Sequence, residues 1–412
     1  MTMLSQLPSL PALRARFVTD WPGEARLLLG LTLAWLAFGL LMLFSASLPV
    51  GALQKGDGLY FFERQAALAV VGLVLLWLVA RLRVQGLVRL ALFAFVPLLA
   101  MVFLVKVPHL GVEINGARRW IQLGPLSLQP SELIKPCLVL IAAAVLPRWR
   151  QLRPRGRVMV CAAAGAAVGG ILLQPDLGTA FLVGAVLWLM ALVAGLRKGP
   201  LVLIAGSGIA VAALKALTTA YQRSRITAFL NPWESAQAEG YQLVQSLLAV
   251  GSGGTTGTGF GLSAQKAHFL PYPYSDFIFA VVCEELGLVG ACGFLAFLLV
   301  FLVVGLRVAV RATDPVRRLL AAGSTLLLVG QAFLHIAVVT GAIPPKGIPL
   351  PLVSYGGSGL LASLVCCGLL IRAAIEMQVA TSLPLPERAP ARPRNLRRAR
   401  EVAPDRRAVR SR

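Results

Sequence analysis

Apolar stretches of about 20 residues follow one another along most of this chain. A helix of that length spans the hydrocarbon core of a bilayer, where a helix satisfies its own backbone hydrogen bonds. Only 14% of the residues are charged, whereas about 25% is usual for soluble domains. The sequence therefore predicts an all-α fold, a polytopic membrane protein with ten transmembrane helices.

The ten predicted spans alternate with loops of very different charge. They cover residues 26–48, 63–81, 87–106, 131–147, 158–174, 177–195, 199–217, 277–306, 317–341 and 354–377. Lys and Arg concentrate in the loops after the second, fourth, sixth and eighth spans and in the terminal segments. Because cytoplasmic loops carry the excess of Lys and Arg, we predict cytoplasmic termini in the cytoplasmic (inner) membrane. The net charge of +22 then reflects topology, and no nucleic acid partner is expected.

Three regions are expected along the chain. Residues 1–25 form a cytoplasmic N-terminal segment, 26–380 form one membrane domain, and 381–412 form a disordered basic cytoplasmic tail. The first hydrophobic segment, Leu27–Leu48, is too long for a signal peptide. The tail is expected to lie at the membrane lipid surface, with a specific partner site as the alternative. The six cysteines have no metal-ligand spacing, which favours packing roles.

With this topology, four segments face outward. They are 107–130, 174–176, the large extracytoplasmic loop 218–276, and 342–353. Most of the unusual polar residues of the chain lie in these segments. Any chemistry is therefore expected at the outer face of the membrane.

The first outward segment contains two motifs, NGARRWI and QPSELIK. Arg118 and Arg119, beside the interfacial aromatic Trp120, can bind a lipid-linked phosphate, because guanidinium forks match phosphate oxygens. Anchoring at the lipid headgroups is the alternative. Glu132 and Lys135 are three residues apart, so they share one helical face and can pair inside the bilayer.

Asp276 lies among prolines and aromatics just before an apolar span. A carboxylate at a membrane boundary is costly unless it is paired, hydrated or used, so Asp276 is the strongest catalytic candidate. Capping the following helix is the alternative. Asp176, in the turn QPDLGT, also has two interpretations: a helix cap or the lining of a polar cavity.

Two Gly-rich segments are less specific. The run from Gly251 to Gly261 lacks the Gly-Lys-Ser/Thr of a phosphate-binding loop, and no strand precedes it. Its glycines allow the backbone to approach either a ligand or other helices closely. The Pro- and Gly-broken segment 343–358 can line a cavity at membrane depth or form an ordinary rigid turn.

The motifs NGARRWI, QPSELIK, QPDLGT, YQLVQSLLAVGSGG, GLSAQK, SDFIFAVVCEELG and PPKGIPLPLVSYGGS follow one another in this order. Over residues 26–380 the chain resembles the SEDS proteins (shape, elongation, division, sporulation), and it is more similar to the division members than to the elongation members. The resemblance implies a ten-helix SEDS fold and the activity of a peptidoglycan glycosyltransferase in septal cell-wall synthesis. Such an enzyme polymerises lipid II, the undecaprenyl-pyrophosphate-linked disaccharide peptide, at the outer face of the membrane. It also implies as partners a class B penicillin-binding protein and other divisome membrane proteins, at the division septum.

The resemblance also assigns individual residues. The family's essential aspartate falls on Asp276, its paired charges on Glu132 and Lys135, a second aspartate on Asp176, and a glutamine on Gln245. Four positions depart from the common pattern: Tyr272 and Tyr274 stand where Glu and His are frequent, His335 replaces Asn, and Gly359 replaces Ser. An activity that needs the outer His would not be expected here.

Chain growth requires a sugar 4-hydroxyl to attack the anomeric carbon of a second sugar, with undecaprenyl pyrophosphate leaving. We predict that Asp276 is the general base and that cations stabilise the leaving group. The candidate substrate-binding residues are Arg118, Arg119, Trp120, Glu132, Lys135, Asp176, Arg223, Gln245, Lys266 and Ser358. A divalent cation, Mg²⁺ or Mn²⁺, can share the charge, although the sequence identifies no ligands for it. The alternatives are an elongation enzyme, a lipid II flippase and a non-catalytic scaffold.

Overall fold

The computed structural model describes residues 18–107, 110–114, 117–124 and 126–381. The helices are α1 (Gly23–Lys55), α2 (Tyr60–Arg81), α3 (Val84–Leu104), α4 (Pro130–Val145), α5 (Pro154–Leu173), α6 (Leu177–Val193), α7 (Lys198–Thr218), α8 (Ala220–Leu230), α9 (Tyr241–Ser252), α10 (Ala264–His268), α11 (Ile278–Arg311), α12 (Pro315–Val339) and α13 (Gly357–Thr381), with short 3-10 helices at Val18–Asp20 and Leu146–Gln151. The strands are β1 (Gly111–Ile114), β2 (Ala117–Leu123) and β3 (Leu126–Leu128).

Each of the ten predicted spans coincides with a helix, which confirms the all-α membrane class. Nine of the described helices are long and apolar enough to cross a bilayer. The sixth predicted span, 177–195, is the apolar helix α6, whose 17 residues are fewer than those of the other nine spans, the fourth of which consists of α4 and the 3-10 helix that follows it. Asp176 and the left-handed Gly195 mark the two ends of this helix and explain its length.

The helices differ greatly in how much of their surface the protein covers. In α12 and α13 respectively, 72% and 78% of the residues of the apolar window are buried, so these helices form the centre of the bundle. In α7 only 6% are buried, which leaves almost its entire apolar surface for lipid. The site described below lies where the C-terminal end of α12 and the N-terminal end of α13 meet the segments that were predicted to face outward.

A small antiparallel sheet in the first outward segment was not predicted. Strand β1 pairs with β2, with Gly111 opposite Ile121 and a bulge after Val112, and β2 pairs with β3, with Ile121 opposite Leu128. The signal for it in the sequence is the pair Asn-Gly at 115–116, which two-residue hairpin turns favour. Arg119 lies on β2, at the bulge in the pairing of β1 with β2.

Helix α11 is longer than its predicted span and is broken. It begins at Ile278 and ends at Arg311, with Gly287 in a non-helical, left-handed conformation (φ 64°, ψ −165°). Such a φ favours glycine because it has no Cβ. The large outward loop before this helix also contains three shorter helices, α8, α9 and α10.

The predicted terminal regions are only partly within the described residues. Residues 1–17 of the expected N-terminal segment 1–25 and residues 382–412 of the expected tail 381–412 lie outside them.

Candidate active site

Asp276 lies in a partly buried turn immediately before α11. The N-cap of α11 is Phe277, and no side chain caps this helix, so the alternative that Asp276 is a helix cap is wrong. The carboxylate faces the segment that contains Gly347: a Cβ added at Gly347 would lie 3.5 Å from Oδ2 and 3.6 Å from Oδ1. The glycine therefore leaves open the space in front of the carboxylate.

The surroundings of Asp276 make its carboxylate more basic than a free aspartate. Burial raises the pKa of Asp276, and the nearby acid Asp176 raises it further. Two guanidinium groups, of Arg119 on β2 and Arg225 on α8, act in the opposite direction and lower this pKa. The balance is a raised pKa with two cations that favour the anionic form, as a general base requires.

Arg119 joins the sheet to the turn between α5 and α6. Its Nε donates to the carbonyl of Gln174 (3.1 Å) and its Nη2 to the carbonyl of Pro175 (2.9 Å). Its Nη1 lies 3.4 Å from Oδ2 of Asp176. Three contacts therefore hold the guanidinium in one orientation, and its side chain is only 12% exposed.

Asp176 is both a helix cap and part of a polar cleft. Its Oδ1 accepts a hydrogen bond from the backbone N–H of Thr179 (3.0 Å), which confirms the predicted cap of α6. Its other oxygen faces Arg119. The two interpretations of this residue are compatible, because a carboxylate has one oxygen for each role.

An open cleft lies beside these residues. It is lined by Arg119, Pro175, Asp176, Leu177, Gly178, Arg225, Lys346 and Gly347. Arg225 Nη1 donates to the carbonyl of Pro345 (3.1 Å), which brings α8 to the segment that carries Lys346. Burial lowers the pKa of Lys346, and Asp176 partly offsets this. Three cationic side chains thus converge on a cleft next to Asp276, an arrangement suited to a polyanionic leaving group.

Four of the predicted substrate-binding residues lie in the segments predicted to face outward but do not line this cleft. Arg118 pairs with Glu113 at 3.0 Å, and both side chains are largely exposed. Arg223 is exposed on α8, Trp120 is partly buried on β2, and Gln245 is partly buried on α9.

Lys266 does not line the cleft either, and its charge is paired with an acid in the protein interior. Its Nζ forms a buried ion pair with Glu285 and donates to Oγ of Ser45 (2.6 Å). Ser45 Oγ in turn donates to Glu285 Oε2 (2.8 Å). Lys266 therefore links the outer loop to α1 and α11.

The predicted pairing of Glu132 and Lys135 is present, at 2.6 Å, with both side chains at most 3% exposed. Lys135 also donates to Oε1 of Gln331 (2.7 Å). Ser358, another predicted binding residue, accepts a hydrogen bond from the backbone N–H of Gln129 (2.9 Å). These polar groups are engaged with one another in the protein interior and do not line the cleft.

The Gly-rich run packs against α11. Thr258 N–H donates to the carbonyl of Glu284 (2.9 Å) and Gly259 N–H to that of Glu285 (3.1 Å), two carbonyls next to the break at Gly287. A Cβ at Gly257 would lie 2.1 Å from the carbonyl oxygen of Glu285. Of the two predicted uses of these glycines, the structure shows close approach to a helix.

Tyr274, one of the two tyrosines that depart from the family pattern, belongs to an aromatic cluster. Tyr274 stacks on Phe61, with ring centroids 4.6 Å apart, and contacts Tyr355 edge-on at 5.7 Å. Burial raises the pKa of Tyr274 to about 12, so its phenol stays protonated at neutral pH. Tyr274 therefore supports the turn of Asp276 by packing and supplies no second base.

Sequence reasoning missed Arg225 and Lys346 as site residues, although Lys346 lies inside the motif PPKGIPLPLVSYGGS. Successive helical residues are about 100° apart, so Arg223 and Arg225 point in nearly opposite directions and only one can face the cleft. Among the described residues, no group of three or more His, Cys, Asp or Glu side chains is arranged to hold a metal ion. Two carboxylates interact with the cations of the cleft: Asp176 with Arg119 and Lys346, and Asp276 with Arg119 and Arg225.

Comparison with known proteins gives concordant results. The family model FTSW_RODA_SPOVE, described as "Cell cycle protein", matches residues 25–379. A protein of Synechocystis sp. named "Probable peptidoglycan glycosyltransferase FtsW" is 47% identical over 368 residues, which cover 89% of this chain and 93% of that protein. A protein of the same name from Coxiella burnetii is 38% identical, covering 84% of this chain and 95% of its own length.

Solved structures also match. One is a chain from a study of how a peptidoglycan synthase complex coordinates polymerization and crosslinking, with a TM-score of 0.69, 30% identity, and coverage of 87% of this chain and 99% of that one. The rod shape determining protein RodA of Thermus thermophilus has a TM-score of 0.63 and 30% identity, covering 85% of this chain and 96% of that one.

Proposed function

The chain belongs to the FtsW/RodA/SpoVE family of cell cycle proteins, and from this membership we propose that it is a peptidoglycan glycosyltransferase of the FtsW type that polymerises lipid II. The named relatives support the activity, and they confirm the expected similarity to division members. The observation that carries the proposal is the juxtaposition of Asp276 with the cleft of Arg119, Arg225 and Lys346. A base and a leaving-group site lie side by side.

In this mechanism Asp276 removes the proton from the 4-hydroxyl of the acceptor sugar as its oxygen attacks the anomeric carbon of the donor. A positioned general base typically contributes 10²- to 10⁴-fold to such a step. The bond to the pyrophosphate oxygen breaks at the same time, and negative charge develops on the leaving group. Burial of Asp276, which raises its pKa, strengthens it as a base.

The three cations of the cleft hold the departing pyrophosphate. Arg119 is already oriented by backbone carbonyls and Asp176, so it stabilises the developing charge without reorganisation. Arg225 and Lys346 line the same cleft and are supplied by α8 and the segment 342–356. Removing one such electrostatic contact typically costs about 10²- to 10³-fold in rate. The prenyl chains remain in the lipid, next to exposed apolar helices such as α7.

The chain is a multi-pass membrane protein. We place the reaction at the outer face of the cytoplasmic membrane, with both termini in the cytoplasm, because Lys and Arg concentrate in alternate loops. The FtsW-type relatives favour the division septum.

A class B penicillin-binding protein is the proposed partner, with other divisome membrane proteins around it. The support is the match to a chain of a peptidoglycan synthase complex. In such a pair, this chain makes the glycan strands and its partner crosslinks them.

The test is an assay of purified protein in liposomes with labelled lipid II, alone and with a class B penicillin-binding protein. Formation of glycan strands that depends on this chain and is lost on Asp276→Asn supports the proposal. Movement of lipid II across the bilayer without polymer identifies a flippase. Polymer that forms only with the partner and survives Asp276→Asn identifies a scaffold. Either of the last two results contradicts the enzymatic function.

A further inference from the structure

The segment that brings Lys346 and Gly347 to the site has no regular secondary structure. Residues 344–350 belong to neither helix nor strand. Within the segment, Ile348 N–H donates to the carbonyl of Lys346 (2.9 Å), which makes a tight local turn. Contacts from outside the segment must therefore fix its position relative to Asp276.

Two buried side chains of α12 provide such contacts. Gln331 Nε2 donates to the carbonyl of Pro349 (2.8 Å), and His335 Nδ1 lies 2.7 Å from the carbonyl oxygen of Ile348. The two residues are four apart and so lie on one face of the helix. They are 3% and 0% exposed respectively. Neighbouring carbonyls of the segment are thus held by neighbouring donors of one helix.

The chemistry of the partners determines the orientation of both donors. An ammonium group can only donate, so Gln331 Oε1 must accept from Lys135, and its amide nitrogen is left to donate to Pro349. A carbonyl can only accept, so His335 Nδ1 carries the proton of this hydrogen bond. His335 Nε2 has no hydrogen-bond partner among the described residues. The ring therefore contributes one hydrogen bond, and that bond holds the segment.

The segment is also held from the other side. The first turn of α6 packs against it, because a Cβ at Gly178 would come within 2.5 Å of Ile348 Cδ1 and 3.4 Å of Lys346 Cδ. With Arg225 bound to the carbonyl of Pro345, contacts on both sides of Lys346 define its place.

We propose that Gln331 and His335, which we term the loop clamp, are positioning residues of the transfer reaction: they hold Lys346 at the leaving group. Neither touches substrate in this account, and the proposal of their role rests on the proposed function. Glu132 and Lys135, expected from the sequence to bind substrate, then act through Gln331 by fixing its amide orientation.

The first test uses two substitutions of His335. The amide nitrogen of asparagine is two bonds from Cβ, as is histidine Nδ1, so His335→Asn keeps the hydrogen bond to Ile348. The amide nitrogen of glutamine is three bonds away, where the partnerless Nε2 lies, so His335→Gln loses it. We expect kcat for lipid II polymerisation within about threefold of wild type for His335→Asn and at least tenfold lower for His335→Gln. Equal rates in the two variants would overturn the proposal.

The second test is a double-mutant cycle between Gln331→Glu and Lys346→Met. A glutamate at 331 still pairs with Lys135 but cannot donate to Pro349. If the clamp acts through Lys346, Gln331→Glu lowers kcat at least tenfold alone and has little further effect when Lys346 is already methionine. Multiplicative losses would show that Gln331 acts elsewhere, and the proposal would fail.

Hydrogen exchange separates failure of the clamp from failure of the proposed function. In detergent, the amides of Gly347 and Ile348 should exchange faster in Gln331→Glu and His335→Gln than in wild type, while His335→Asn should match wild type. This result would hold even if the wild-type protein made no polymer, in which case only the function is wrong. Unchanged exchange in both donor-loss variants would disprove the clamp.

Discussion

Substitution of Gly347 by alanine separates the stability of the protein from access to Asp276. The new methyl carbon would lie 3.5 Å and 3.6 Å from the two carboxylate oxygens, which is ordinary contact, and no closer atom opposes it. Gly347 is not among the glycines with positive φ, so alanine can adopt its backbone conformation. Replacing such a glycine by alanine usually stabilises a protein by about 0.4–1 kcal/mol, because it lowers the conformational entropy of the unfolded chain.

The same methyl group should greatly reduce catalysis. A sugar hydroxyl must come within about 2.7 Å of a carboxylate oxygen to give up its proton. The methyl would occupy space that the sugar carbon carrying that hydroxyl needs. If Asp276 contributes 10²- to 10⁴-fold as a base, blocking it raises the barrier by about 3–5 kcal/mol. Stability and activity should thus change in opposite directions.

The assay is lipid II polymerisation by the purified variant, with thermal unfolding measured on the same sample. Gly356→Ala is the matched control, because a Cβ at Gly356 meets nothing within 4 Å and its φ is not positive. We expect the control to polymerise at the wild-type rate. A folded Gly347→Ala protein with wild-type kcat would refute the reasoning, because the hydroxyl would then not approach Asp276 past Gly347.

Two further predictions concern charge. Because Asp276 must be ionised to act, kcat should fall as pH drops through its raised pKa, which gives the pH–rate profile an acid limb. Arg225 lowers the pKa of Asp276, so Arg225→Met should move this limb to higher pH. An unmoved limb would contradict the assignment of Asp276 as the base. Lys266→Met leaves the buried Glu285 without its cation and should destabilise the protein by about 3–5 kcal/mol, measured by thermal unfolding in detergent. Adding Glu285→Met removes the unpaired charge and should restore much of this stability. Equal stability of the single and double variants would contradict the prediction.

The membrane architecture could be predicted from the sequence because each span carries its own signal. An apolar run of sufficient length must be helical in lipid whatever its neighbours are, so all ten predicted spans coincide with helices. The cap of α6 by Asp176 was also predictable, since it depends only on residues within one turn. Residues close together in the sequence therefore determine both the membrane spans and this helix cap.

The composition of the site depends on contacts between distant segments, and those were not predictable from local pattern. Arg225 and Lys346 are 121 residues apart in the numbering, yet both line the cleft. Lys266 carries the same charge in a loop that was predicted to face outward, but it pairs with Glu285 in α11 and does not line the cleft. The break of α11 is another case, because only the backbone contacts of the Gly-rich run show why Gly287 leaves the helical conformation.

The most direct test of the account is the rate of lipid II polymerisation by Asp276→Asn, a nearly isosteric change that removes only the charge and basicity. Asp314→Asn is the matched control: Asp314 caps α12 at the opposite end of that helix from the site, and asparagine caps equally well. We predict that Asp276→Asn folds like wild type and loses at least 10²-fold in rate, while the control keeps full activity. Near-normal polymer from Asp276→Asn would show that no base is needed there and would contradict the mechanism.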